Sequence, residues 1–156
     1  MNTQAEKATT VMEDHTISVA MSIIRQRLGA PRALMNAPDL IKNYLTLKLA
    51  TLPHEQFGMV CLDAKGRFIA DHTLFRGTLN HSSVYPREVV KEALHSNANS
   101  VVIYHNHPSG STEPSLSDRS ITAQLAQALK VVDIQLNDHI IIAGMEHYSF
   151  HEQGEL

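Results

Sequence analysis

The 156-residue chain contains no tryptophan and a single cysteine, Cys61. One thiol excludes an internal disulfide framework and is neutral toward a reducing compartment. Charge of one sign is also scarce: 13 basic against 16 acidic side chains leave a formal net charge of -3. That balance argues against a protein whose main task is a nonspecific grip on phosphate backbones, so a nucleic-acid partner finds no support in the charge. No apolar run reaches the roughly 20 residues that a membrane-spanning helix needs. The polar start MNTQAEKATT carries no signal-peptide core. These absences lead to the expectation of a cytoplasmic protein with one core and no membrane partner. Hydrophobic residues at 43% and charged residues at 19% are compatible with such a core and weigh against global disorder.

Histidine is what the sequence has in excess, with ten copies. It is the commonest metal ligand, so the placement of those imidazoles matters more than their number.

Hydropathy periodicity divides the chain into a helical lead-in over residues 1–35 and a longer region over 36–156. In the lead-in, Ile17, Met21, Ile24 and Leu28 recur at helical spacing and Gly29 with Pro31 supplies a stop. The first dozen residues show no pattern and are expected to be frayed. A second helix is predicted from Pro38 to Leu49, capped at Asn36 or Ala37, with Leu40, Ile41, Tyr44, Leu45 and Leu49 on its apolar side. From Glu55 the period changes to two. Gln56–Leu62 and Arg67–Phe75 form a hairpin around Asp63-Ala-Lys-Gly66.

A helix over Pro86–His95 should turn Val89, Val90, Ala93 and Leu94 to the core, and Ser100–His107 should be an interior strand. A loop over Pro108–Pro114 leads to a helix from Ser115 to Lys130. Strands near Val131–Leu136 and Asp138–Ala143 and a short Tyr148–Phe150 segment end the chain. Strands and helices alternating on this scale predict a three-layer α/β sandwich, a mixed central sheet flanked by helices.

The chemistry is concentrated in His105-Asn106-His107-Pro108, followed after six residues by Ser115 and after two more by Asp118. Side chains two apart on a strand share a face, so His105 and His107 can present two imidazoles side by side while Asn106 faces away. Pro108 ends the ladder and places the pair at a strand end. The following helix start can bring Asp118 in as an oxygen ligand. Two histidines, one carboxylate and an open fourth position form a catalytic rather than a structural zinc pattern. Ser115-x-x-Asp118 is at the same time a capping box for the helix, and the two readings are compatible.

His-x-His-Pro-x6-Ser-x2-Asp with an upstream glutamate resembles the JAMM motif of the MPN metalloprotease superfamily. Pro86–Leu94, His105–Gly110, Pro114–Asp118 and Asp138-His139-Ile-Ile resemble the RadC family in particular. The resemblance covers about residues 36–154, so residues 36–156 are expected to form an MPN/JAMM-like, RadC-like domain. Such a fold is also cytidine-deaminase-like in its layering. It implies one Zn2+ held by His105, His107 and Asp118, with Ser115 steadying an oxyanion and a glutamate acting as base. Glu55, just before the first strand, is the preferred match for that base, and Glu88 the alternative. The implied activity is zinc-dependent hydrolysis of amide bonds, on a peptide or protein substrate.

Two other classes compete. A DNA-repair-associated accessory protein with a structural or vestigial metal site follows from the RadC name. However, about 35 residues before the domain are too few for the helix-hairpin-helix region of longer RadC proteins. A deaminase-like enzyme would need a Cys-x-x-Cys pair that one cysteine cannot supply. An HNH nuclease spreads its residues over a longer unit than this tripeptide. His139 is expected to be a hydrogen-bonded structural residue, Asn106 a loop stitch, Ser109 and Gly110 turn residues, and Cys61 a small core residue. His15, His54, His72, His81, His95, His147 and His151 have no spacing that ties them to a site.

Overall fold

Seven-residue runs such as Gln56–Leu62 and Ser100–Asn106, rich in Val, Ile, Phe and Tyr, suit strands covered on both faces. In the computed structural model both are buried end to end, as β1 (Gln56–Leu62) and β3 (Ser100–Asn106). The structure describes residues 4–29, 37–77 and 84–156, excepting the side chains of 4–8, 28, 29 and 37. The predicted stop at Pro31, the cap candidate Asn36, the Leu28 side chain and His81 lie outside the described residues.

With β2 (Phe68–Arg76), β4 (Gln135–Ala143) and β5 (Glu146–Ser149), the strands form one sheet in the order β2-β1-β3-β4-β5. Only the β3–β4 pair is parallel, so the sheet is mixed. Helices α1 (Gln4–Gly29) and α2 (Ala37–Leu49) cover one face, where Tyr44, Leu45 and Leu49 meet Val60, Val102, Ile140 and Ile142. Helices α3 (Pro86–His95) and α4 (Leu116–Val131) cover the other, where Val89, Ala93, Leu125 and Leu129 meet Phe57, Met59, Cys61 and Ile103. The result is the three-layer sandwich that the alternation of elements predicts.

A parallel pair requires a crossover, and α4 supplies it between β3 and β4. The start of α4 therefore returns to the carboxyl end of β3, where open α/β sheets bind ligands. Antiparallel pairing of β1 with β3, Phe57 opposite His105, brings the residues before β1 to that same end.

Three expectations are corrected. Residues 131–134 of the strand predicted over 131–136 are instead the end of α4 and a turn: Ile134 N–H bonds the Leu129 carbonyl, and Asp133 adopts φ 57°. One strand, β4, then runs through 135–143, with Asn137 bulged out opposite the Val101/Val102 step. Leu94, expected in the core, is 53% exposed because α3 inserts Val89 and Ala93, four residues apart, instead. The opening residues are helical from Gln4 rather than frayed. They include good helix formers and no proline or glycine before Gly29.

Candidate metal centre

Strand alternation and the early stop at Pro108 place two imidazoles on the α3/α4 side of β3's end. His105 Nε2 and His107 Nε2 lie 3.0 Å apart. The helix start brings Asp118 Oδ1 to 3.2 Å from His105 Nε2 and Asp118 Oδ2 to 3.7 Å from His107 Nε2. Among the described residues this is the one group of three His, Cys, Asp or Glu whose ligand atoms all lie within 4.8 Å of one another. Zinc bonds of about 2.0–2.1 Å at tetrahedral angles separate neighbouring donors by about 3.3 Å. The observed spacings bracket that value, so the His-His-Asp set is compatible with a divalent ion.

The donor chemistry fits as well. His107 Nδ1 lies 2.7 Å from the Ser111 carbonyl, which can only accept, so Nδ1 carries the proton and Nε2 keeps its lone pair. His105 is buried, and its Nδ1 lies 2.9 Å from His139 Nε2. On Asp118, Oδ2 accepts from the Ser115 backbone N–H and hydroxyl, both at 2.7 Å, leaving Oδ1 toward His105. Burial alone would raise the Asp118 pKa, but the hydrogen bonds that His105 and His107 donate from Nε2 in their doubly protonated forms outweigh it and hold the carboxyl well below its usual range. In that form the hydrogen bond to Asp118 also raises His107 above an ordinary imidazole, against the opposing effect of burial.

The centre opens into a cleft of about 410 Å³ lined by Glu55, Phe57, Val84, Ser115, Ile121 and Gln124, among others. Glu55 is thus brought to the histidines. Glu88 is not: it faces Arg87 at 3.5 Å and Lys91 at 3.7 Å on the outer side of α3. Ser115 caps α4 with the reciprocal box predicted for it, its hydroxyl accepting from Asp118 N–H at 3.1 Å. Asn106 does more than stitch a loop. Its side chain accepts from Gln56 N–H at 2.7 Å and donates to the His54 carbonyl at 3.0 Å, clamping the backbone on both sides of Glu55. The Gly77 N–H holds the Glu55 carbonyl from the other side, at 2.9 Å.

His139 is buried as expected, stacked on Phe150 with centroids 4.8 Å apart, and burial pushes it well below the ordinary imidazole range. Its link to His105 carried no signal in the sequence, because the two histidines are 34 residues apart and meet only across the β3–β4 pair. Cys61 is a fully buried core residue whose thiol is pushed up to about 11 by burial. Gly110 turns the loop after His107 at φ 84°. The other described histidines stay outside the cluster; His72, for one, contacts Ser96 Oγ at 2.7 Å. No helix among the described residues is long and apolar enough to cross a membrane.

Residues 35–155 match the family described as "RadC-like JAB domain". A UPF0758 protein of Janthinobacterium sp. (strain Marseille) is 53% identical over 122 residues, which are 78% of this chain and 54% of that protein. UPF0758 protein YkfG of Escherichia coli (strain K12) is 42% identical over 147 residues, 94% of this chain and 93% of that protein. UPF0758 protein YfjY of the same strain is 42% identical over 141 residues, 90% and 88% of the two chains. The chain thus spans little more than half of the longer kind of relative and nearly all of the shorter kind.

Proposed function

The chain belongs to the RadC-like JAB domain family, and from that premise we propose that it is a zinc-dependent hydrolase of amide bonds in peptides or proteins. The observation that carries this reading is the convergence of His105 Nε2, His107 Nε2 and Asp118 on one point in a cleft that Glu55 also lines. A divalent ion held there would acidify water, from a pKa of 15.7 to about 7, and polarise a carbonyl.

The chain's own residues supply the rest. A Glu55 carboxylate oxygen takes the proton of the attacking water as the new C–O bond forms. It then delivers that proton to the departing nitrogen as the C–N bond breaks, so the base ends as it began. Ser115, whose hydroxyl donates to Asp118 and lines the same cleft, would turn its O–H toward the developing oxyanion. Phe57, Val84 and Ile121 line the cleft with apolar surface and limit competing water.

Metal analysis with two variants tests the proposal. The parent is expected to hold about one zinc per chain, and His107→Ala almost none. Glu55→Gln should keep the zinc but lose roughly 100- to 10,000-fold in turnover of an amide substrate. Wild-type turnover by the glutamine variant would remove Glu55 from the mechanism, and a parent that binds no divalent ion would remove the mechanism altogether.

A further inference from the structure

A buried line of hydrogen bonds runs behind the candidate centre, away from the cleft. His105 Nδ1 lies 2.9 Å from His139 Nε2, and His139 Nδ1 lies 2.6 Å from Thr122 Oγ1. The Thr122 hydroxyl in turn bonds the backbone carbonyl of Asp118. Its direction follows from that last partner, because a carbonyl can only accept. The Thr122 proton is therefore committed to Asp118, and Thr122 Oγ1 must accept from His139 Nδ1–H. A neutral imidazole protonated on Nδ1 offers Nε2 as acceptor, so His105 must donate from Nδ1–H. The lone pair of His105 is then left on Nε2, the atom that faces His107 and Asp118. No water can take over a link, since His139 is 0% exposed and packed between Phe150 and Phe57.

We infer that Thr122 and His139 are positioning residues that hold His105 in the one tautomer able to bind a cation. The inference rests on the proposed metal centre and adds two residues to it. Both imidazole ligands then have their tautomer set by a backbone carbonyl: His107 directly by that of Ser111, His105 by that of Asp118 through two intervening side chains. Asp118 takes part twice, through its carboxylate at the centre and its carbonyl at the far end of the relay. The start of α4 thus couples the third ligand to the protonation of the first.

The test uses the full chain in three forms: parent, Thr122→Val and Thr122→Ser. Long-range 1H–15N spectra of the metal-free protein near pH 8, above the imidazole range, report which His105 nitrogen bears the proton. Competition against a chromophoric chelator reports zinc affinity. The parent should show His105 as a single Nδ1–H tautomer. Thr122→Val, matched in size but unable to orient His139, should show mixed tautomers and bind zinc about 10- to 100-fold more weakly. Thr122→Ser, which keeps the hydroxyl, should retain the parent tautomer and lie within about threefold of the parent affinity. A parent His105 protonated on Nε2 would overturn the inference without recourse to any variant. So would a valine variant with unchanged tautomer and affinity, or a serine variant that loses as much zinc as the valine. If the parent bound no zinc, the proposed function would fail, while the spectra would still decide the relay.

Discussion

Tyr104 and His105 are neighbours on β3, point to opposite faces of the sheet, and end in two clusters of titratable groups with opposite characters. On the α1/α2 face, the Tyr104 hydroxyl donates to Asp71 at 2.6 Å and accepts from Lys48. Lys48 Nζ lies 2.7 Å from Asp71, and the Tyr44 hydroxyl donates to Asp71 while accepting from Arg25 at 2.7 Å. Gly58 makes room for this cluster, because a Cβ there would sit 2.3 Å from the Tyr104 hydroxyl oxygen. Burial first, then Asp71, drives both tyrosines above their ordinary pKa, and burial lowers that of Lys48. Asp71 thus faces two hydroxyl donors and the Lys48 ammonium, and Arg25 closes the set through the Tyr44 hydroxyl. On the α3/α4 face, two imidazole lone pairs and a carboxylate converge beside a cleft. Three acceptors aimed at one point call for a cation, whereas a closed set of pairs calls for nothing. A buried polar cluster is structural when it satisfies itself and a candidate site when it does not.

The sharpest way to break that distinction is Asp71→Ala. It strands the Lys48 ammonium, 15% exposed at its side chain, beside a vacated carboxylate. The expected loss is about 3–5 kcal/mol of folding stability by denaturant titration. Zinc content of the folded fraction should be unchanged, and a variant that lost zinc at full stability would erase the contrast between the two faces.

Asn106→Ala acts on the boundary between the clusters. It should cost about 1–3 kcal/mol from the buried groups left unpaired. By loosening Glu55 it should also lower turnover roughly 10- to 100-fold while zinc stays bound. Intact turnover would show that the clamp supports the loop and not the base.

The smallest effect concerns pH in the metal-free protein. Asp118 raises the folded pKa of His107, so this contact stabilises fully below the unfolded imidazole value of 6.5 and its contribution is lost as pH rises through the folded value. The Asp118 carboxyl is held low, so its contribution is present above 3.8 and lost as pH falls through the folded value. Zinc must displace the His107 proton, so its affinity should rise over the range in which the metal-free contact weakens. Unfolding midpoints from about pH 5.5 to 8.5, compared with His107→Ala, measure this. Identical slopes in parent and variant would count against it.

Much of this was legible in the sequence. Period-two and period-3.6 patterns located β1, β3, α2, α3 and α4, and the spacing from His105 to Asp118 marked the candidate ligands before any coordinates. The failures were local and physical. Val131–Ile134 look like a strand because β-branched residues serve a helix end and a turn equally well, and only Asp133 at φ 57° settles the matter. Leu94 looks like core because a ten-residue amphipathic helix leaves its exact rotation open.

By itself the sequence determined what travels along the chain: which strands are buried on both faces, which helix carries a capping box, and that two imidazoles share a face with a carboxylate one loop away. Those follow from the fixed geometry of adjacent residues. Only the tertiary structure put Glu55, and not Glu88, on the cleft that the histidines line, since this depends on β1 lying antiparallel to β3. It alone joined Thr122 and His139 to His105 and Asn106 to Glu55, because hydrogen bonds across the sheet and from helix to strand leave no spacing in the sequence to find them by.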